Sequence, residues 1–305
     1  MTLRSESRLE RILHDGTFAV TAEVVPPRGA DPNAVMTQAQ QLLGYADAVN
    51  VTDNPTSSAH MSSLAGAALV ARAGLEPIAQ LTVRDRNRLA LTADLLGAWA
   101  LGARAVLCLT GDPVSTGDHP DATEVMDLDV IELITLAARL RDEGTGLAGT
   151  PVDPAPRFFV GGADVPLAPG YDPARLERKA DAGIDFVQTQ IVYDVDAMGE
   201  WAERLGARGL LERVFVLAGV AAPRGPKTAR FMREHLPGVT VPDAVVRRLE
   251  EAGDDAESEG VRLAVEVIEG LRAIPGIAGV HVMGLGHEEI VRRVIDAAGL
   301  LPRPV

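Results

Sequence analysis

One cysteine, Cys108, is all that this chain of 305 residues contains, so an internal disulfide is excluded. Cys108 sits inside the apolar run ARAVLCLTGD, where the expectation is a small core residue rather than a nucleophile. A lone thiol also suits a cytoplasmic protein. Long apolar runs are missing as well, so no membrane-spanning helix is expected. The N-terminal MTLRSESRLERILHDG mixes charges with leucines at helical spacing and does not read as a signal peptide. Positive charge is in deficit: the formal net charge of -14 argues against nucleic acid or an anionic membrane as partner. Paired metal ligands are lacking too. His14, His60, His119, His235, His281 and His287 are scattered, none four residues from another, and no metal is expected. No nucleophile stands beside a base, and Ser62 and Ser63 read as helix caps.

What is present is an ordinary globular composition, 47% hydrophobic and 24% charged, enough for one large α/β domain or two smaller ones. The stretch TFAVTAEVVPP, residues 17–27, reads as a short strand buried on both faces and stopped by Pro26 and Pro27. It carries one acid, Glu23, near its exit. A carboxylate there is costly unless it is paired or has chemical work to do. A structural partner such as Arg28 and a functional role stand as alternatives on the residues alone.

Further strands are expected at 46–51, 77–83, from ARAVLCLTGDP to Asp112, from RFFVGGA, and at GIDFVQTQIVYD, RVFVLAGV and GVHVMGL. Helices are expected between them, at about 32–43, 61–73, 88–101, 130–141, 173–182 and 196–205, with two or three over 226–271 and one at 287–298. Residues 114–127 are polar and turn-rich and read as a long loop. Eight strands alternating with helices predict a single (β/α)8 TIM barrel over residues 1–305, with an N-terminal helix. A doubly wound open sheet is the second choice, because no Gly-rich fingerprint follows the first strand.

Barrel chemistry gathers at the C-terminal ends of strands. Those ends supply Glu23, Thr52-Asp53-Asn54, Gln80 with Thr82, Thr110-Gly111-Asp112, Gly161-Gly162, Gln188-Thr189-Gln190 and Gly219. Two carboxylates among amides and hydroxyls suit a polar heterocycle held by its edge, with one acid handling a proton. Gln188 and Gln190 lie two apart and face one way, toward a ligand or into a buried hydrogen-bond network.

The blocks AEVVPP, NVTDNP, LTVRDRN, LTGDP, LERKADAGIDFVQTQIVYD and AGV occur in order at these ends. Together the chain resembles methylenetetrahydrofolate reductases, most of all the reductase domain fused to homocysteine methyltransferases in some bacteria. The resemblance implies reduction of 5,10-methylenetetrahydrofolate to 5-methyltetrahydrofolate on a (β/α)8 barrel, hydride passing from NAD(P)H through FAD. It makes Glu23 the general acid, Asp112 the acid that hydrogen-bonds the pterin, and Gln190, with Gln188 beside it, the folate-binding amide. Thr52, Gln80, Thr110, Gly111, Asp172 and Lys179 become cofactor-binding positions. Departures are also visible. Gln80 replaces a usual histidine, Met126 a tyrosine over the flavin, and Pro226 falls near a stacking aromatic. Leu285-Gly286-His287 stands where the eighth strand usually has a Leu-Asn-Arg-like ending, and the histidine usual downstream of the fifth strand is missing. Direct transfer from NAD(P)H to folate without FAD is therefore open beside the flavin route. A folate-binding subunit serving a methyltransferase partner is the alternative function, and a lyase using Glu23 as a base is a weaker third. A homo-oligomer is compatible with either of the first two.

Overall fold

A computed structural model describes residues 3–304; residues 1, 2 and 305 of the expected domain lie outside it. A short helix, α1 (Arg8–His14), precedes eight strands. These are β1 (Ala19–Val24), β2 (Ala48–Val51), β3 (Pro77–Thr82), β4 (Ala105–Leu109), β5 (Phe159–Asp164), β6 (Phe186–Ile191), β7 (Phe215–Ala221) and β8 (Ile277–Met283). All neighbours pair in parallel in chain order, and β8 closes on β1 through Thr21 opposite His281. The helices between them are α2 (Pro32–Leu42), α3 (Ser63–Arg72), α4 (Arg88–Ala100), α5 (Val130–Asp142), α6 (Ala174–Ala182) and α7 (Val195–Gly206). Three more, α8 (Pro226–His235), α9 (Asp243–Glu251) and α10 (Ala256–Ala273), lie between β7 and β8, and α11 (Glu288–Ala297) follows. The closed (β/α)8 barrel is the fold that the alternation predicts.

The period-2 alternation of each strand divides the core into two layers. Val20, Ala22 and Val24 of β1, like Val49, Val51, Leu81 and Cys108, face the helices and join the large outer core. Ala19, Ala48, Ile78, Ala105, Phe159, Phe186 and Leu217 point into the barrel and form a separate inner core. Leu9, Ile12 and Leu13 of α1 complete that inner core, so the N-terminal helix plugs the bottom of the barrel. Each of these three side chains is 5% exposed or less, worth about 1.5–3 kcal/mol apiece over solvent exposure. Carboxylates tie the plug down: Glu76 accepts from the N–H of Arg8 (2.5 Å), and Glu10 from those of Arg4 and Ser5 (both 2.8 Å).

One expectation about the chain path is corrected. The fourth strand ends at Leu109 rather than Asp112, because Gly111 takes a left-handed φ of 93° that breaks the ladder and turns Thr110 to Asp112 into the rim loop. The Thr52–Pro55 segment feeds a three-residue 3-10 turn at Pro55–Ser57. Ser62 does cap α3, accepting from the N–H of Ala65. No helix among the described residues is long and apolar enough to cross a membrane.

Candidate active site

Above the inner apolar layer the barrel interior turns polar. Thr21, Asn50, Gln188 and His281 point inward from β1, β2, β6 and β8, and each is at least 96% buried. Asn50 Nδ2 donates to Gln188 Oε1 (2.7 Å), and Gln188 Nε2 donates to Asn50 Oδ1 (3.1 Å) and Thr21 Oγ1 (3.2 Å). Thr21 Oγ1 lies 3.0 Å from His281 Nδ1. Burial pushes the His281 imidazole down to about 4, so this floor carries no charge at neutral pH. The network takes up the whole Gln188 side chain, placing it one layer beneath the rim rather than at it.

Glu23 stands two residues beyond Thr21 on the same inward face of β1, opposite Asn50 in the ladder. Its carboxyl is pushed up to about 7, chiefly by burial. The nearby Glu288 carboxylate adds to the rise, and the Leu285 N–H opposes it. The structural partner considered for it is engaged elsewhere, since Arg28 reaches Asp118 (3.4 Å). Glu23 makes no ion pair among the described residues, so nothing returns its acidity to the ordinary range. Thr52, at the exit of β2, is 6% exposed, and its Oγ1 has no hydrogen-bond partner among the described residues.

A cavity of about 750 Å³ opens at the C-terminal ends of β3 to β6. Of the residues expected in the site, Gln80, Thr110, Gly111, Asp112, Lys179 and Gln190 line it. Gln190 donates from Nε2 to the carbonyl of Pro237 (2.9 Å), bringing the α8–α9 connection over the cavity. Asp112 Oδ2 accepts from the Thr56 N–H (2.9 Å), and Oδ1 has no partner among the described residues. Lys179 donates to the carbonyl of Ala163, and burial lowers its pKa. Asp172 stays outside the lining, accepting from the Ala174 N–H (3.0 Å) at the start of α6.

Other groups complete the cavity, and some of them go beyond the strand-end reading. Arg175 and Arg178 of α6 line it with Lys179 and make no ion pair among the described residues. Their i, i+3, i+4 spacing put them on one helix face, a signal present in the sequence but indistinguishable there from a solvated charged face. Tyr171 donates to Asp164 Oδ2 (2.5 Å) on the same wall. Asp53 is held by Arg86 (both contacts 2.7 Å) and by the Thr82 N–H (2.9 Å), which fixes the β2 and β3 exits to each other. Leu128, Val130, Ile131 and Val165 supply an apolar side. Cys108 is buried, its thiol pushed up to about 12, which makes it inert. Among the described residues no group of three His, Cys, Asp or Glu could hold a metal ion.

A family model described as methylenetetrahydrofolate reductase matches residues 8–299, nearly the whole barrel. The chain belongs to the methylenetetrahydrofolate reductase family. Methylenetetrahydrofolate reductase 1 of Schizosaccharomyces pombe is 28% identical over 232 residues, covering 72% of this chain and 35% of that protein. A probable methylenetetrahydrofolate reductase (NADPH) of Caenorhabditis elegans is 24% identical over 96% of this chain and 44% of its own length. The chain thus spans less than half the length of these two family members. It spans 73% of the 5,10-methylenetetrahydrofolate reductase of Escherichia coli, at 24% identity. Among solved structures, an uncharacterized protein from Clostridium thermocellum that binds two copies of 5-methyl-5,6,7,8-tetrahydrofolic acid shares the fold. Its TM-score is 0.66 at 13% identity, over 96% of this chain and all of that one.

Proposed function

We propose that this protein reduces 5,10-methylenetetrahydrofolate to 5-methyltetrahydrofolate with hydride from NAD(P)H, and that Glu23 is its general acid. The observation that carries the reading is the state of Glu23: an inward-facing carboxyl with no cationic partner, its pKa raised to about 7, above an uncharged floor. Such a carboxyl holds a proton near neutral pH and can release it to a substrate nitrogen. Protonation at N10 of the folate breaks the bond from the methylene carbon to N10 and leaves that carbon as an iminium on N5. Hydride addition to the same carbon completes the methyl group, so one proton and one hydride are consumed. The Glu23 carboxylate is then reprotonated from solvent.

The remaining groups fit the other demands of this reaction. Asp112 Oδ1 is open to a pterin edge, and the Gln190 amide, which donates to Pro237 and accepts from the Ile191 N–H, keeps one further N–H and one lone pair for it. Arg175, Arg178 and Lys179 supply positive charge to the cavity lining, and Leu128, Val130 and Ile131 apolar surface. That combination fits a dinucleotide, with its diphosphate at the cations and its ring system on the apolar wall. FAD would be held by these residues together with Gln80, Thr110 and Gly111, and when bound would relay reducing equivalents from NAD(P)H. NAD(P)H in the same cavity would use the same cations.

The test is anaerobic turnover of the purified chain with methylenetetrahydrofolate and NADH or NADPH, with and without added FAD. Formation of 5-methyltetrahydrofolate matched to nicotinamide oxidation is expected. Absence of both under every condition would sink the proposal, and tight folate binding without turnover would favour a subunit that serves a methyltransferase partner. The visible spectrum of the same preparation separates the hydride routes: a flavin band marks FAD, and a colourless active protein marks direct transfer.

A further inference from the structure

Arg84 is among the largest fully buried side chains of the molecule, yet it lies at the rim, just past the end of β3, with part of its surface on the main cavity. Its guanidinium binds both oxygens of Asp85 (2.6 and 2.7 Å), Ser57 Oγ (2.7 Å) and the carbonyls of Asp112 (3.0 Å) and Asn54 (3.4 Å). One planar fork therefore joins the loops that follow β2, β3 and β4. Simple stabilisation does not require this, because an apolar residue would fill the same space without desolvating a charge.

The loop that Arg84 grips is bent in an unusual way. Asn54, Thr56 and Ser57 all have left-handed backbone, with φ of 47°, 51° and 54°. Asparagine tolerates that region, but a β-branched threonine is disfavoured there, and such strain persists only where surroundings over-determine it. The surroundings are visible. Ser57 Oγ also donates to the carbonyl of Asp112 (2.7 Å). A Cβ on Gly117 would lie 1.8 Å from the Ser57 carbonyl, so the β4 loop is packed flush against the bend. Asp118 accepts from the Ala59 N–H (3.1 Å) on the far side. The product of this bend is the position of the Thr56 N–H, which donates to Asp112 Oδ2 and leaves Oδ1 without a partner among the described residues.

We infer that Arg84 is a positioning residue for Asp112: it holds the Asn54–Ser57 bend so that the Thr56 N–H orients the Asp112 carboxylate, with its second oxygen turned to the folate ring. This rests on the proposed role of Asp112 in reading the pterin. Lysine at position 84 would keep the charge but lose the fork that reaches two loops at once.

A double-mutant cycle with 5-methyltetrahydrofolate as titrant tests it, run on the full chain. Arg84→Lys is expected to weaken folate binding about tenfold, raise the folate KM in parallel and leave the NAD(P)H KM unchanged. In an Asp112→Asn background the same substitution is expected to cost less than twofold, since the group it positions is already lost. Should Arg84→Lys fail to fold, Ser57→Ala, which removes one acceptor of the fork together with the Ser57 hydroxyl's own bond to the Asp112 carbonyl, enters the same cycle. Equal losses in both backgrounds, or a matching rise in the NAD(P)H KM, would overturn the inference. Wild-type protein that binds folate without hydride transfer would overturn the proposed reaction alone, and the binding cycle would still decide Arg84. Wild-type protein that binds no folate would overturn both.

Discussion

The two ends of the barrel treat charge differently: the C-terminal rim has matched pairs of its own, Asp53 with Arg86 and Arg84 with Asp85, but unlike the other end it also holds groups left unmatched. At the N-terminal end every buried carboxylate meets donors. Asp47, fully buried, accepts from Arg303 (2.5 Å) and from the Val20 N–H (2.8 Å). Asp185 is gripped by Arg141, Arg4 (2.9 Å) and the Val160 N–H (2.8 Å). At the C-terminal end Glu23 has no cation, the Thr52 hydroxyl has no partner, and Arg175 and Arg178 have no counter-ion among the described residues. The difference separates two uses of the same residue types. Matched groups close the barrel around α1, whereas unmatched ones leave interaction energy unspent for a ligand.

Breaking the comparison at Glu23 carries the largest expected effect. Glu23→Gln removes the proton but keeps the shape, and turnover should fall about a thousandfold. Melting measured at pH 8 should show no loss of stability, because the wild-type carboxylate is ionised there in unfavourable surroundings. Wild-type turnover should decline as pH rises through about 7, where the raised acid loses its proton, and a flat profile to pH 9 would remove Glu23 from that role.

The matched end should respond in the reverse sense. Asp47→Ala strands Arg303 and the Val20 N–H, and urea unfolding should show a loss of about 3–5 kcal/mol. Turnover per folded molecule should stay within about twofold of wild type, since the site is at the other end of the strands.

His281 lies between the two ends and sharpens the contrast. Its folded pKa, about 4, is below its unfolded value near 6.5, so the unfolded chain binds the extra proton more readily. The corresponding stability is present above pH 6.5 and is lost as pH falls toward 4, by up to about 3 kcal/mol. Urea midpoints across that window should flatten in His281→Gln relative to wild type. The smallest effect is expected at the open cations. Arg175→Ala should leave stability within about 0.5 kcal/mol while weakening NAD(P)H binding severalfold, with a reduced dependence on salt.

Much of the fold was legible because its signals are local. Apolar runs alternating with amphipathic stretches mark βα units, and eight of them leave few ways to bury the strands. Glu23 was legible for a related reason: a lone acid among apolar neighbours is costly wherever that strand goes. The companions of these residues were not legible. Gln188 and Gln190 carry the same side chain on the same face of β6. Depth, together with a shift in the β6–β7 register between Gln188 and Ile191, sends the first into the network with Asn50 and Thr21 and leaves the second at the rim, against the Pro237 carbonyl. Arg28 was the nearest candidate partner for Glu23 in sequence, yet it reaches Asp118, ninety positions along the chain.

By itself, then, the sequence determined the alternation of strands and helices and the awkward acid at the end of the first strand. These follow from hydrophobic period and from the cost of a carboxylate in apolar surroundings, both properties of short segments. Tertiary structure alone decided which charges are neutralised. Closing the barrel brings Arg303 to Asp47 and Arg84 to the backbone of two other loops, and brings no cation to Glu23. Pairing depends on distances between segments far apart in the chain, and those distances exist only once the strands have closed.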